Sequence, residues 1–159
     1  MIVKIIDMLG IPNIMCCCLI TVMLLICTIT DIKKREIWPV LTISCACLAV
    51  AGSLLLFHTY PWSGVVGGLV GFVPHILLAW KGKCGGGDAL MMLAAGLCLG
   101  VFAVSLLMLI ATILFSGYVA VQSKRARHGG ARDTQYPYAP FVFAAWVLLG
   151  AGSFFILYL

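Results

Sequence analysis

The sequence predicts an all-α integral membrane protein with six transmembrane helices, the fourth of them short and opened by a glycine-rich loop. Two observations carry this prediction. Of the 159 residues, 64% are hydrophobic and only 9% are charged, whereas soluble domains contain roughly 25% charged residues. The apolar runs are continuous and do not alternate with polar residues, which favours helices over a β-barrel. We therefore expect one membrane-embedded domain over residues 1–159, with the lipid bilayer as its surroundings.

The basic residues indicate the orientation of these helices. Nine of the ten lie in three short segments between apolar runs: Lys33, Lys34 and Arg35; Lys81 and Lys83; Lys124, Arg125, Arg127 and Arg132. This clustering follows the positive-inside rule and is not the pattern of a nucleic-acid-binding surface. We expect the three segments in the cytoplasm, both termini outside, a multi-pass protein of the cytoplasmic (inner) membrane, and no nucleic-acid partner.

The spans follow in order from the apolar runs and the basic segments. After a short lead-in, the first run lacks a cleavage site and is followed by basic residues, so it is predicted to be a retained helix and not a signal peptide. From Ala89 to Gln122 there is no charge, which amounts to about 50 Å of helix against about 30 Å of hydrocarbon. A single crossing would place the last basic segment outside, so we predict a turn near Gly100 and a loop over residues 122–135. The predicted helices cover about 14–30, 37–57, 63–80 and 88–99, then a fifth that ends near 121, and a sixth over 141–158.

The third predicted helix carries two features of its own. The pairs Gly64 and Gly68, and Gly67 and Gly71, have the four-residue spacing that lets a neighbouring helix approach closely. His75 lies in the same helix, beside a proline. An intramembrane histidine is either a proton relay or a hydrogen-bonded side chain that faces the bundle. The sequence leaves both interpretations open.

The eight cysteines do not predict a metal or redox centre. Seven of them lie within apolar segments and no C-x-x-C pair occurs, so we interpret them as small apolar packing residues. Cys84 lies in a polar loop, where a reactive thiol stays an alternative. We predict no zinc site, no other metal site and no cofactor.

Two acids stand out once the helices are placed. Asp31 lies at the cytoplasmic end of the first helix and Asp88 at the cytoplasmic start of the fourth, so both share one membrane face. Two close carboxylates do not both ionise readily, so one can activate a water while the other polarises a peptide carbonyl. We therefore predict Asp31 and Asp88 as a catalytic pair. Each acid alone has a simpler interpretation, Asp31 as a solvated helix end and Asp88 as a helix N-cap.

The three glycines before Asp88 fit this chemistry. Gly85, Gly86 and Gly87 lack Cβ atoms, so they would let an extended substrate backbone pass close to Asp88. We expect them to form a substrate-approach loop. By themselves they also fit a plain flexible connector.

These residues resemble a known family. Gly85 to Asp88 matches the GxGD motif of membrane aspartyl proteases, and the segment from Asp31 to Ile37 is similar to the one that carries the first aspartate of type IV prepilin peptidases. Residues 136–141, Tyr-Pro-Tyr-Ala-Pro-Phe, are similar to the stretch that opens the last helix of those enzymes. Presenilin-type relatives share GxGD but have a Tyr-Asp first motif, which Thr30-Asp31 does not match.

The resemblance implies a function. Prepilin peptidases cleave the short basic leader from prepilins or pseudopilins, which continue as an apolar helix, at the cytoplasmic membrane boundary. The paired C-x-x-C motifs of the bifunctional members' methyltransferase region do not occur here, so we expect a peptidase-only form. The family's Ile-Pro-Asn after the first aspartate is replaced by Ile37-Trp38-Pro39. This difference lies where the second helix is expected to begin, beside Asp31.

Two other classes of protein stay open at this point. A small transporter or channel could use the same two acids to bind a cation or proton, with polar groups near mid-membrane. A non-catalytic assembly component would use the glycines only as a linker. The oligomeric state cannot be predicted from the sequence.

Overall fold

The chain folds into helices throughout the residues that the structure describes. This computed structural model describes residues 14–34, 37–55, 62–81, 85–127 and 136–157. The helices are α1 (Ile14–Lys34), α2 (Pro39–Leu55), α3 (Trp62–Trp80), α4 (Gly86–Arg127) and α5 (Ala139–Leu157). No strand occurs in these ranges, so the predicted all-α class is confirmed. The lead-in over residues 1–12, the residues His58, Cys84 and His128, and the acids Asp7, Glu36 and Asp133 lie outside the described ranges.

Two helical segments are long and apolar enough to cross a membrane. They are Trp62–Trp80 and Gly86–Ser123, and shorter apolar helical stretches cover Pro39–Leu48 and Ala139–Gly150. Many large apolar side chains on these helices are exposed, among them Val66, Leu69 and Leu109. An apolar outer face of this kind suits a lipid environment, in which hydrophobic side chains need not be buried.

α4 is broken at Gly100, where φ is 79° and ψ is 176°. Such a backbone conformation is essentially restricted to glycine, and it confirms the predicted turn. The contacts of α3 show that the chain reverses there. Gly71 packs against Met92 before the break, while its neighbour Val70 lines a groove with Thr112 after the break. In a straight helix Met92 and Thr112 would be about 30 Å apart, so residues 86–99 and 101–127 form two antiparallel halves of α4.

The glycines of α3 bring its backbone against the first half of α4. A Cβ atom on Gly64 would lie 2.7 Å from the carbonyl oxygen of Leu97, and one on Gly71 would lie 2.6 Å from that of Met92. Real Cβ atoms do not approach other atoms this closely, so both positions require glycine at this helix separation. The close approach predicted from the glycine spacing is confirmed.

The first half of α4 lies at the centre of the molecule. Its buried side chains pack against α1, α2 and α5 in a single cluster that includes Ile20, Leu24, Cys45, Met91, Met92, Leu99, Val142 and Ala145. Cys27, Cys45 and Cys98 are buried in this core, as expected for packing residues, whereas Cys18 and Cys47 are exposed. Asp88 lies in the first turn of this central helix.

The described helices begin within two residues of their predicted starts, but two of them extend several residues past their predicted C-terminal ends. α1 continues past residue 30 to Lys34, because no glycine or proline interrupts it, and Asp31 therefore lies inside the last turn of the helix. α4 continues past residue 121 to Arg127, so the expected loop over residues 122–135 was wrong in its first part. The side-chain amide of Gln122 donates to the Tyr118 hydroxyl oxygen at 3.1 Å, and Gln, Lys, Ala and Arg all favour helix. Residues 128–135 lie outside the described ranges.

Candidate active site

Asp31 is held at the junction of α1 and α5. Its side chain is only 7% exposed, and its Oδ2 accepts a hydrogen bond from the backbone N–H of Ala139 at 3.0 Å. Ala139 is the first residue of α5, and the first N–H groups of a helix have no partner within that helix. The positive end of the helix dipole also favours a carboxylate there. Asp31 is therefore an oriented, buried group and not the solvated helix end considered above.

Asp88 is the third residue of α4, and its side chain is half-buried. Its Oδ2 accepts from the N–H of Gly85 at 3.2 Å, while its own N–H donates to the carbonyl oxygen of Gly85 at 3.1 Å. A side chain at this position that reaches back to the N-cap amide is one half of a capping box. The N-cap interpretation of Asp88 is thus corrected, since Gly85 occupies the N-cap position and Asp88 closes the first turn over it.

Both acids line one cavity of about 400 Å³. The cavity is bounded by Asp31 from α1, by the N-terminus of α4 and by the start of α2, and its lining residues are Asp31, Ile37, Trp38, Pro39, Gly85, Gly86, Gly87 and Asp88. The two predicted carboxylates and all three predicted glycines therefore lie together, although more than fifty residues separate Asp31 from Gly85 in the chain.

Sequence reasoning missed the third wall of the cavity, which the start of α2 supplies. The carbonyl oxygen of Trp38 accepts from the N–H of Leu41 at 3.2 Å, so Trp38 caps the helix and Pro39 is its first residue, a position that proline favours. The Trp38 side chain is 53% exposed. A signal was present, because a Trp-Pro pair that follows Asp31 so closely marks a helix start near that acid.

His75 lies behind the cavity and faces the interior. It is 5% exposed, its Nδ1 is 2.8 Å from the carbonyl oxygen of Gly71, and its ring is 5.4 Å from that of Tyr138. Tyr138 in turn packs edge-on against Phe115 at 5.3 Å and directly precedes Ala139. The hydrogen-bonded interpretation of His75 is supported, and the ring stack supports the segment whose amide holds Asp31.

A comparison with protein-family models identifies the family to which this chain belongs. The model described as the type IV leader peptidase family matches residues 18–120, which is more than half of the chain. The chain belongs to the type IV leader peptidase family. The match includes Asp31, the three glycines and Asp88, and it confirms the suspected prepilin peptidase family. Comparisons with curated proteins and with solved structures gave no match.

Membership of the leader peptidase family indicates a peptidase. Together with the two apolar segments long enough to span a bilayer, it also indicates a membrane protein. Within the described ranges, no group of three His, Cys, Asp or Glu side chains is arranged to hold a metal ion. Among the described residues that line the cavity, Asp31 and Asp88 are the two with ionisable side chains.

The three glycines of this leader peptidase are not equivalent. A Cβ on Gly87 would lie 2.8 Å from Cβ of Ile37, and one on Gly85 would lie 3.4 Å from Oδ2 of Asp88, while one on Gly86 would meet nothing within 4 Å. Gly86 and Gly87 belong to the first turn of α4, so of the predicted substrate-approach loop only Gly85 lies outside the helix. Gly87 thus lets this first turn pack against the start of α2. Gly86 faces open space at the cavity.

Gly87→Ala and Gly86→Ala form a matched pair that separates packing from substrate approach. We expect Gly87→Ala to displace the first turn of α4 from Ile37 and to lower kcat by roughly 10²-fold, the effect of a misplacement of about 1 Å in an active site. Gly86→Ala should leave the thermal stability unchanged, because nothing contacts its new methyl group. If a substrate backbone passes over Gly86, the same variant raises KM. Peptide cleavage kinetics and melting curves of both variants test this, and equal kcat values for the two would contradict it.

Proposed function

We propose that this leader peptidase is an aspartic endopeptidase that removes the short basic leader from prepilins or pseudopilins at the cytoplasmic face of the inner membrane. The observation that carries the proposal is the shared cavity of Asp31 and Asp88. The two acids come from different helices, and each has one carboxylate oxygen bound to a backbone N–H. Such anchored carboxylates are oriented before substrate arrives, which is what acid–base catalysis requires.

The pair hydrolyses a peptide without a covalent intermediate. Two neighbouring carboxylates share one proton, and the titration belongs to the pair. The ionised carboxylate takes a proton from a water molecule, whose oxygen attacks the scissile carbonyl carbon, while the protonated carboxyl donates its proton to the carbonyl oxygen. When the tetrahedral intermediate collapses, the C–N bond breaks and the leaving nitrogen takes up a proton from one acid. A hydroxyl group of the intermediate returns its proton to the other acid, so the pair again holds one proton. Neither acid is assigned the proton in the resting state.

The proposed membrane arrangement has six helices in the bilayer, with both termini outside. They are α1, α2, α3, the two halves of α4, of which the first is short, and α5. The reversal at Gly100 supports it, because residues 101–127 then return toward the end of the molecule that carries Asp88. Lys33 and Lys34 in the last turn of α1 belong to the same end. Positive charge near both acids supports a cytoplasmic position for the cavity.

The experiment that tests the function uses the purified protein in lipid vesicles. Its substrate is a prepilin-type polypeptide with a short basic leader followed by an apolar helix. We expect a single cut between leader and helix, identified by N-terminal sequencing of the product. A proton- and cation-flux measurement on the same vesicles addresses the transporter alternative. Flux without cleavage would overturn the proposal, and a cut elsewhere in the substrate would overturn its specificity.

A further inference from the structure

The wall of the cavity formed by α2 has no role in the proposed chemistry, yet it presents a large aromatic surface. Trp38 lines the cavity and keeps half of its side chain exposed, while its backbone is fixed as the cap of α2. An exposed indole on a fixed backbone is well suited to contact a ligand, since it has only two side-chain torsions and ordering it costs little conformational entropy.

The Trp38 ring lies close to the positively charged side chain of Lys34. Nζ of Lys34 lies 5.8 Å from the ring centroid of Trp38, within the range of a cation–π interaction. A lysine or arginine from a substrate that approached the same ring would be repelled by Lys34, because like charges at short distance repel. The surface that Trp38 offers is therefore suited to an uncharged, apolar side chain.

We propose that Trp38 and Lys34 together determine where the substrate is cut. This inference rests on the proposed function. The substrate changes from basic to apolar at the cleavage junction. A cavity wall that accepts apolar side chains and repels basic ones therefore allows only one alignment of the substrate chain relative to the two acids. Trp38 binds the first large apolar side chain on the helix side of the scissile bond, and Lys34 excludes the leader's cations from that place. The leader then extends away from α2, and the junction lies beside Asp31 and Asp88.

Binding of uncleavable substrates tests this without relying on catalysis. The probes are two vesicle-embedded prepilin-type peptides with a reduced scissile bond, one with leucine and one with lysine directly after that bond. We expect the wild-type protein to bind the leucine peptide more tightly. Trp38→Ala should weaken its binding roughly tenfold to hundredfold, the effect of lost contacts in an apolar pocket, while Trp38→Phe should retain most of the affinity. Lys34→Gln should improve binding of the lysine peptide relative to the leucine peptide.

A control separates this effect from general loss of an exposed tryptophan. Trp80 is 84% exposed and is not among the residues that line the cavity, so Trp80→Ala should change neither affinity. Unchanged discrimination in Trp38→Ala and in Lys34→Gln would overturn the inference, as would an equal effect of Trp80→Ala. If the proposed function is wrong, the wild-type protein will leave a cleavable substrate intact. That result is separate from any change in the binding of the uncleavable peptides.

Discussion

Asp88→Asn and Asp31→Asn are each expected to lower leader cleavage by roughly 10²- to 10⁴-fold, the range of a lost general acid or base. The fold should survive both changes. An asparagine oxygen can still accept from the N–H of Ala139, 3.0 Å from Asp31, and from the N–H of Gly85, 3.2 Å from Asp88. Single-turnover cleavage of a prepilin-type substrate in vesicles measures the loss, and melting curves verify that the variants are folded.

The double variant makes this prediction sharper. Residues that act as one unit have non-additive effects, so Asp31→Asn/Asp88→Asn should be no slower than the slower single variant. Asp133→Asn changes the net charge by the same amount as either single variant and serves as their matched control. Its expected rate is close to that of the unchanged protein. A near-normal rate in either single variant would remove that acid from the catalytic pair. Losses that add fully would mean that the acids act independently.

Gly67→Ala is expected to lower the free energy of unfolding by about 3 kcal/mol, at the upper end of the usual cost of overpacking. Its Cβ would lie 2.6 Å from the carbonyl carbon of Gly100, 2.8 Å from the carbonyl oxygen of Gly96 and 2.8 Å from the amide nitrogen of Val101. All three neighbours are backbone atoms, so no side-chain rotation relieves the clash. α3 and α4 have to move apart.

Gly117→Ala is the matched control for this effect. Gly117 is also a helical glycine, but a Cβ there would meet nothing within 4 Å, so the change should be neutral or should stabilise by about 0.5–1 kcal/mol through helix propensity. Gly68→Ala should be milder than Gly67→Ala, because its Cβ would meet side-chain atoms of Leu93 and Leu97 at 3.2 Å. Denaturant titrations in lipid–detergent micelles give the three values. Equal stability of Gly67→Ala and Gly117→Ala would contradict the packing explanation.

Much of the fold could be predicted because the membrane restricts the alternatives. A charge-free run too long for one crossing and the position of the next basic segment together predicted the turn that the structure has at Gly100. The glycine spacing in α3 predicted the close packing against α4 for a similar reason, since four-residue spacing places the small residues on one face. Helix ends were less predictable, as at Arg127, because the mostly polar and charged residues 122–127 are compatible with either a helix or a loop.

The two acids of the candidate site could be predicted from the sequence, but the contacts around them could not. Asp31 and Asp88 could be paired from topology alone, because few acids were available and both had to lie at one membrane face. The bond from Ala139 to Asp31 joins residues far apart in the chain, and no local pattern encodes it. The contact between Gly87 and Ile37 likewise depends on how α2 meets α4. The Trp38-Pro39 pair indicated a helix start near Asp31, but no local pattern placed that start against Asp88.

The break at Gly100 also bears on how the protein enters a bilayer. Residues 86–99 rise only about 20 Å, less than the hydrocarbon thickness of about 30 Å, so the peptide groups at the reversal would end within the hydrocarbon. Lipid cannot hydrogen-bond such groups, and non-helical backbone is tolerated there only under a cover of protein. Gly67 provides that cover, because its backbone lies directly against the backbone of Gly96 and Gly100.

The two halves of α4 are therefore expected to insert together, as a hairpin, and only onto an α3 that is already in place. Asp88 would meet Asp31 only after this step. A nascent chain would remain inactive as a peptidase until this hairpin is in place, so that biogenesis itself delays activity.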